Sequence, residues 1–314
     1  MKKPVLVLTG PTAVGKTETS LQLAKRCGGE IISVDSMQVY RHMDIGTAKI
    51  PPAQRQGIPH YMIDEWEPEE EANVVLFQKR VREYMADIHA RGKIPILTGG
   101  TGFYIQAILY DIDFSKEEQD GSYRRQLEQT AKEQGPHVLH EMLSSIDSES
   151  AAAIHENNVK RVIRALEYHH FSGEKFSLHN AEQRKKESPY LFLYVVLTME
   201  RSLLYKRIDE RVEQMMEEGL VTEVQGLLDR GCHRGLTSMQ GLGYKEIAAA
   251  LAGECTMEEA VYRLKRDTRH FAKRQMTWFR RERDVIMLEK ENYASTEELV
   301  EEILRLAEKK GVIV

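Results

Sequence analysis

The chain has 314 residues, 41% hydrophobic and 30% charged. That is enough for about two domains and too apolar for a disordered chain. It has no run of about 18 apolar residues, so no membrane-spanning helix is expected. Three scattered cysteines, Cys27, Cys232 and Cys255, lack Cys-x-x-Cys spacing and support neither a zinc site nor a disulfide framework. The apolar run at the N-terminus, Val5–Leu8, is too short for a signal peptide, and a cytoplasmic monomer is expected. The net charge of −5 conceals a local excess: residues 263–283 hold nine Lys or Arg against two acids, +7, which leaves −12 elsewhere. That asymmetry points to an anionic partner for the segment.

In chain order, Val5–Leu8 reads as a buried strand, and Lys16–Cys27 as a helix stopped by Gly28-Gly29. Ile31–Val34 is a second short strand and His60–Ile63 a candidate third. Val74–Arg91 has amphipathic helical spacing up to Gly92, and Ile94–Thr98 is a strand whose Pro95 fits only near its start or at an edge. Strands alternating with helices imply a mostly parallel sheet flanked by helices. After Asp113 the pattern changes. Residues 115–189 carry little strand signal and several polar helices, the clearest at Arg124–Gln134, Pro136–Leu143 and Asn158–Phe171. Strand character returns at Leu191–Leu197 and at Asp284–Leu288, and Met257–Arg281, free of Gly and Pro, reads as one long helix. The expected organisation is an α/β core (1–114 and 190–314) interrupted by a helical insertion (115–189).

Gly10-Pro11-Thr12-Ala13-Val14-Gly15-Lys16-Thr17 fits G-x-x-x-x-G-K-[ST] between a strand and a helix, the context a phosphate-binding P-loop requires. Its glycines let backbone N–H groups surround phosphate oxygens at the positive end of a helix. Lys16 would neutralise charge, and Thr17 could ligate Mg²⁺. The next strands end in Asp35-Ser36-Met37-Gln38-Val39-Tyr40 and in Gly99-Gly100-Thr101-Gly102. Ligands of open parallel sheets bind beyond the carboxyl ends of the strands, so Lys16, Asp35 and Thr101 should converge on one crevice. Asp35 reads as a general base or an Asx-turn, and Thr101 as a ligand contact or a helix cap. Arg201, Arg207 and Arg211 could form a second phosphate clamp or a salt-bridged face. Gln240-Gly241-Leu242-Gly243-Tyr244-Lys245 is a glycine-flexed loop before a helix.

Along the long helix, Arg266, Arg269, Lys273 and Arg280 recur at steps of three, four and seven, with Tyr262, Phe271, Trp278 and Phe279 interleaved. A basic helical stripe with aromatics suits a nucleic-acid backbone. Lys160, Arg161 and Arg164 form a smaller cluster on the insertion. These residues alone define a P-loop enzyme with a nucleic-acid surface. They leave open an ATP-binding kinase of a nucleoside or small metabolite, and an ATP-driven RNA remodeller.

Five blocks narrow the choice: Gly10–Thr17, Asp35–Tyr40, Met43-Asp44-Ile45-Gly46-Thr47-Ala48-Lys49, Gly99-Gly100-Thr101 and Gly243-Tyr244-Lys245. With Lys273-Arg274-Gln275-Met276-Thr277-Trp278-Phe279-Arg280 they resemble, in order, the tRNA dimethylallyltransferase (isopentenyltransferase) family in its bacterial form, which lacks the C-terminal zinc finger of the eukaryotic form. The resemblance implies transfer of a dimethylallyl group from its diphosphate to N6 of the adenine 3′ to the anticodon, with Mg²⁺ as cofactor and the tRNA anticodon stem-loop as partner. It makes Asp35 the base. Thr101 would bond the bridging oxygen of the diphosphate, and Lys16 and Arg211 would hold it in the cradle of Gly10–Thr17. It sets Asp35, Ser36, Met37, Gln38, Thr101 and Arg124 around the target nucleotide. Asn157, Asn158, Val159, Lys160 and Arg161, with Gln240–Lys245, Arg269 and Lys273–Arg280, would contact tRNA.

Overall fold

The computed structural model describes residues 2–114 and 121–313. The chain divides into one compact unit formed by Met1–Leu109 and Pro189–Val314 and a second formed by Tyr110–Ser188. Residue 115, the expected start of the insertion, lies outside the described residues.

The first unit is built on six parallel strands: β1 (Lys3–Thr9), β2 (Glu30–Val34), β3 (His60–Tyr61), β4 (Pro95–Gly99), β5 (Tyr190–Thr198) and β6 (Val285–Glu289), in the order β3-β2-β4-β1-β5-β6. Covered on both faces, the central strands are continuous apolar runs; every residue from Val5 to Leu8 is at most 1% exposed. Pro95 is the first residue of β4, where its missing N–H spoils no ladder bond inside the strand. Between β1 and β2, α1 (Lys16–Cys27) ends at left-handed Gly28, whose N–H bonds the Ala24 carbonyl. Asn73 caps α2 (Val74–Ala90) by accepting from the Val75 and Leu76 N–H groups. β4 leads straight into α3 (Gly102–Leu109). The α/β class with a parallel sheet is therefore as the sequence implied.

The second unit is helical: α4 (Ser122–Gln134), α5 (Pro136–Ile146), α6 (Ser148–Ala153), α7 (Val159–Ser172) and α8 (Phe176–Lys185). Leu127, Leu139, Leu143, Ile154, Val162 and Leu166 form its core. Asp147, 1% exposed, joins three of the helices. Its Oδ1 accepts from the Ser150 N–H (3.1 Å), and its Oδ2 from the Ser150 hydroxyl (2.6 Å) and the Ser177 N–H (2.8 Å). Burial pushes this carboxyl up, but the Ser150 and Ser177 bonds outweigh it and bring the pKa down to about 2. A depressed carboxylate stabilises the fold above its unfolded value near 3.9, and that contribution disappears as pH falls from about 4 toward about 2. Asp147→Ala should therefore destabilise this unit by about 1–3 kcal/mol near neutrality. Hydrogen exchange across residues 122–185 should show the gap from wild type closing below pH about 4; a gap constant down to pH about 2 would contradict the assignment.

Back in the first unit, the chain forms α9 (Arg201–Glu217), α10 (Leu220–Asp229), α11 (Tyr244–Leu251), α12 (Met257–Phe279) and α13 (Thr296–Lys309). A Thr256/Glu259 capping box opens α12. The helix stops at Phe279, with Arg280 as its C-cap, so Arg281, the last residue of the expected helix, lies in the following turn. α13 lies on α1, and α12 packs on α9, α11 and α3.

Candidate active site

The order β2-β4-β1 sets three carboxyl-terminal loops side by side, with neighbouring strands about 4.8 Å apart. The P-loop after β1, Asp35 after β2 and Gly99-Gly100 at the end of β4 thus line one crevice of ≈ 460 Å³, which Arg207 and Arg211 of α9 and Gln275 of α12 also line. Its polar wall includes Lys16, Thr17 and Thr98. Ala48, Ile50, Ile63 and Phe271 give it an apolar wall.

Lys16 folds back on its own loop, donating from Nζ to the carbonyls of Gly10 (3.0 Å) and Pro11 (2.9 Å). Burial lowers its pKa to about 8; Arg211 adds to the fall and Asp35 opposes it. Arg211 Nη1 reaches the Thr12 hydroxyl at 3.4 Å. Burial pulls its guanidinium below the ordinary value, Arg207 adds to this, and Asp35 and Glu218 counter it. The crevice thus concentrates positive charge, with the carboxylates of Asp35 and Glu210 also on its wall. Arg201, the third arginine of the expected clamp, stands at the start of α9 and is engaged by Tyr205, whose oxygen is 3.1 Å from its Nε; it does not line the crevice.

Asp35 combines both sequence readings. Its Oδ1 accepts from the Met37 N–H (2.9 Å) and the Gln38 N–H (3.4 Å), an Asx-turn that fixes the carboxylate at the crevice wall. Thr101 does not cap α3 through its hydroxyl. Its carbonyl starts the helix by accepting from Tyr104 and Ile105, while Oγ1 accepts from the Ser36 N–H at 3.1 Å. Thr101 thus stands next to Gly100 but, unlike Lys16 and Asp35, is not itself part of the crevice lining, contrary to the expected convergence of the three; accepting the Ser36 bond fixes its oxygen and leaves the hydroxyl proton to donate. Thr98, overlooked in the sequence, lines the crevice with an Oγ1 that is buried and without a hydrogen bond. Its signal was a hydroxyl at the carboxyl end of an otherwise apolar strand, and Ser33 of β2 carries the same one.

Several expected contact residues face inward instead. Gln275, 7% exposed, is a strut: the Thr12 N–H donates to its Oε1 (2.9 Å), and its Nε2 donates to the Gly100 carbonyl (3.0 Å). Gly100 permits this, since a Cβ there would lie 2.1 Å from Nε2. Phe279 and Tyr244 are fully buried, and Gly241 and Gly243 are buried with them. Tyr244 donates to Glu223 Oε1 (2.6 Å), and the same carboxylate accepts from the N–H groups of Asp44, Ile45 and Gly46. Lys49, its side chain 4% exposed, pairs with Asp44 and Asp64. The Met43–Lys49 block is thus a buckle. Gln38 is committed as well, accepting from the Ser33 hydroxyl and donating to the Thr47 carbonyl.

On α12, Arg269 is not free for phosphate as expected: its Nη1 contacts both oxygens of Asp209 (2.6 and 2.8 Å). Lys265 pairs with Glu213 and Arg266 with Asp267. Lys273, Arg274 and Arg280 are exposed and make no ion pair among the described residues, and Trp278 is 37% exposed against Phe103. Thr277 and Gln240 are exposed as well, while Met276, Leu242 and Lys245 are half-buried. In the helical unit, Arg124 is held by a fork to buried Glu167 (2.9 and 2.6 Å). Asn157, Asn158, Lys160 and Arg161 are exposed at the start of α7, and Val159 is half-buried.

A glycine-rich strand-to-helix loop, with two arginines and Asp35 around it at the carboxyl edge of a parallel sheet, is the arrangement of an α/β enzyme with a P-loop NTPase-like fold. The model of the IPP transferase family matches residues 38–282. Over 311 residues, 99% of either chain, the protein is 55% identical to a tRNA dimethylallyltransferase of Lachnoclostridium phytofermentans. It is 48% identical to that of Acetivibrio thermocellus, over 95% of this chain and 96% of the other. Among solved structures it resembles the tRNA isopentenylpyrophosphate transferase of Bacillus halodurans (TM-score 0.74, 44% identity, 99% of this chain and 98% of that one). It also resembles a eukaryotic dimethylallyltransferase captured acting on tRNA (TM-score 0.79, 32% identity, 91% of this chain and 74% of that one). The chain belongs to the IPP transferase family.

Proposed function

We propose that this protein transfers the dimethylallyl group of dimethylallyl diphosphate to N6 of the adenine 3′ to the anticodon of tRNA, releasing diphosphate. The observation that carries the reading is the crevice itself, where the P-loop, Arg207 and Arg211 face Asp35 beside an apolar wall of Ala48, Ile50, Ile63 and Phe271. A prenyl diphosphate needs both a cationic and an apolar surface, and the crevice lining supplies the two together.

Adenine N6 is a weak nucleophile because its lone pair is delocalised into the ring, whereas an allylic carbon tolerates positive charge. The C–O bond to the diphosphate can therefore break early, and stabilising the leaving group is the main electrostatic task. Lys16, Arg211 and the Thr101 hydroxyl are the donors for it. As N6 bonds to carbon, its proton becomes acidic, and Asp35 accepts it. The adenine must leave its stack to enter the crevice. Thr17, exposed at the crevice with a hydroxyl that bonds nothing among the described residues, suits Mg²⁺, which commonly takes one or two protein ligands plus substrate phosphates. When bound there, the ion would neutralise diphosphate charge. The three cysteines are free thiols, and we take the enzyme to be a monomer of the cytoplasm. No helix among the described residues is long and apolar enough to cross a membrane.

For tRNA, each unit carries exposed cations of its own: Lys273, Arg274 and Arg280 on α12 and its C-cap in the first, Lys160 and Arg161 at the start of α7 in the second. Lys160 and Arg161 sit in the first turn of α7, the positive end of a helix, where a cation is unfavourable until an anion arrives. Replacing Lys273 and Arg280 together by Gln should weaken tRNA binding and flatten the slope of log affinity against log salt by about 0.7–0.9 per lost contact. Arg269→Gln should leave the slope nearly unchanged, because Asp209 already neutralises that group. Filter binding across a salt series reads both; an unchanged slope in the double variant would make α12 a solvated face only. The overall reading is tested by incubating the protein with dimethylallyl diphosphate, Mg²⁺ and unmodified tRNA. Mass spectrometry of the digested nucleosides should find prenylated adenosine, and its absence, or steady ATP hydrolysis instead, would reject the proposal.

A further inference from the structure

Lys290 is the first residue after β6, at the same sheet edge from which the crevice loops rise. Its side chain reaches back and lies on the P-loop. Nζ is 2.6 Å, Cε 3.7 Å and Cδ 3.8 Å from the point a Cβ on Gly15 would occupy, and Gly15 itself (φ +99°) is the N-cap of α1. The ammonium is half-buried and makes no hydrogen bond or ion pair among the described residues. Its charged neighbours are Glu18 and Glu291, which favour the cation, and Arg207, which opposes it; burial exceeds all three and lowers its pKa. Thr296 donates a hydrogen bond to Glu18 Oε1, so one carboxylate oxygen of that neighbour is already engaged.

This is a poor place for a lysine in the ligand-free protein. The amino end of α1 is a positive pole, Arg207 adds a second cation, and the attraction of Glu18 and Glu291 does not repay the hydration lost by a half-buried ammonium with no hydrogen-bond acceptor among the described residues. The arrangement becomes favourable when an anion fills the loop. We propose that Lys290 is a further diphosphate-binding residue, closing the P-loop from the side of Gly15 while Lys16 and Arg211 hold the ligand from within the crevice. The inference rests on the reading of the crevice as a diphosphate site and adds to it the cation that reaches the loop from β6.

The test uses inorganic diphosphate with the full-length chain, titrated calorimetrically, and variants Lys290→Met and Lys290→Arg. Losing one charge-assisted contact should weaken diphosphate binding about tenfold in Lys290→Met, while Lys290→Arg stays within about threefold of wild type. The thermal midpoint without ligand should be unchanged or raised in Lys290→Met, since a misplaced cation has been removed, and the rise in midpoint on adding diphosphate should shrink. A lysine that only supports the loop would give the opposite pattern: a lower ligand-free midpoint with unaltered diphosphate affinity, which overturns the proposal. Failure of the wild-type protein to bind diphosphate would reject the crevice assignment itself, a result distinguishable from normal wild-type binding with no loss in Lys290→Met.

Discussion

Asp35→Asn should fold normally, bind tRNA and dimethylallyl diphosphate with near wild-type affinity, and transfer the prenyl group about 10²–10⁴-fold more slowly in a single turnover, the usual worth of a general base. The geometry makes this substitution informative. The Asx-turn uses only Oδ1, accepting from Met37 and Gln38, and the amide oxygen of Asn can keep that bond. What is lost is a second oxygen able to take the N6 proton, and a negative charge facing Lys16 and Arg211. Rapid-quench measurement with saturating substrates separates these roles. A near-normal rate would reduce Asp35 to a turn former, with the proton passing to solvent or to the departing diphosphate. A collapse of tRNA affinity large enough to explain the lost activity would recast it as a base-recognition residue.

Lys16→Met should remove about 10²–10³ of the transfer rate, the typical worth of a donor aimed at developing negative charge, and should also weaken diphosphate binding. The lysine carries a pH signature too. Burial first, and Arg211 second, bring its pKa to about 8 against the pull of Asp35. The ligand binds the protonated form, so occupancy raises that pKa, and by linkage wild-type affinity falls as pH rises through about 8. Below that value Lys16 is already charged, and its contribution is flat. Subtracting the profile of Lys16→Met isolates the step, because titration of the diphosphate is common to both proteins. A wild-type profile parallel to that of the variant across pH 7–9 would show that Lys16 does not contact the ligand.

The sheet and the crevice were legible because their signals are local. An uninterrupted run such as Val5–Leu8 admits few placements other than the middle of a parallel sheet, and a glycine-rich loop between that run and a helix has one common use. Parallel pairing then carries Asp35 and Gly99 to Gly10 by topology alone. The fate of individual side chains was less legible. Gln275, Tyr244 and Phe279 sit in sequence blocks that resemble a tRNA-binding family, but a side chain inside such a block can serve the fold instead, and these three are held by internal contacts. Tyr244 answers to Glu223, and Glu223 to the backbone of Asp44–Gly46, partners nearly two hundred residues apart; no periodicity encodes such a meeting. The pairing of Arg269 with Asp209 was hidden for the same reason, since Asp209 lies on another helix. Lys290 gave no signal at all, being an ordinary charged residue just past a short strand. Thr98 and Ser33 did give one, a hydroxyl within a buried run.

Gln275 ties the register of α12 to the P-loop. Each residue along a helix turns the side chains by about 100°, so inserting or deleting one residue between the Thr256 cap and Gln275 would swing the amide away from Thr12 and Gly100. The same rotation would carry Lys273 and Arg280 off their present face. One slip would therefore disarm the phosphate loop and misdirect the basic surface together. Length changes in this lineage should consequently collect in the loops before Thr256 and after Arg283, while the helix itself tolerates exchange of its exposed residues other than the unpaired cations, but not a change in their number.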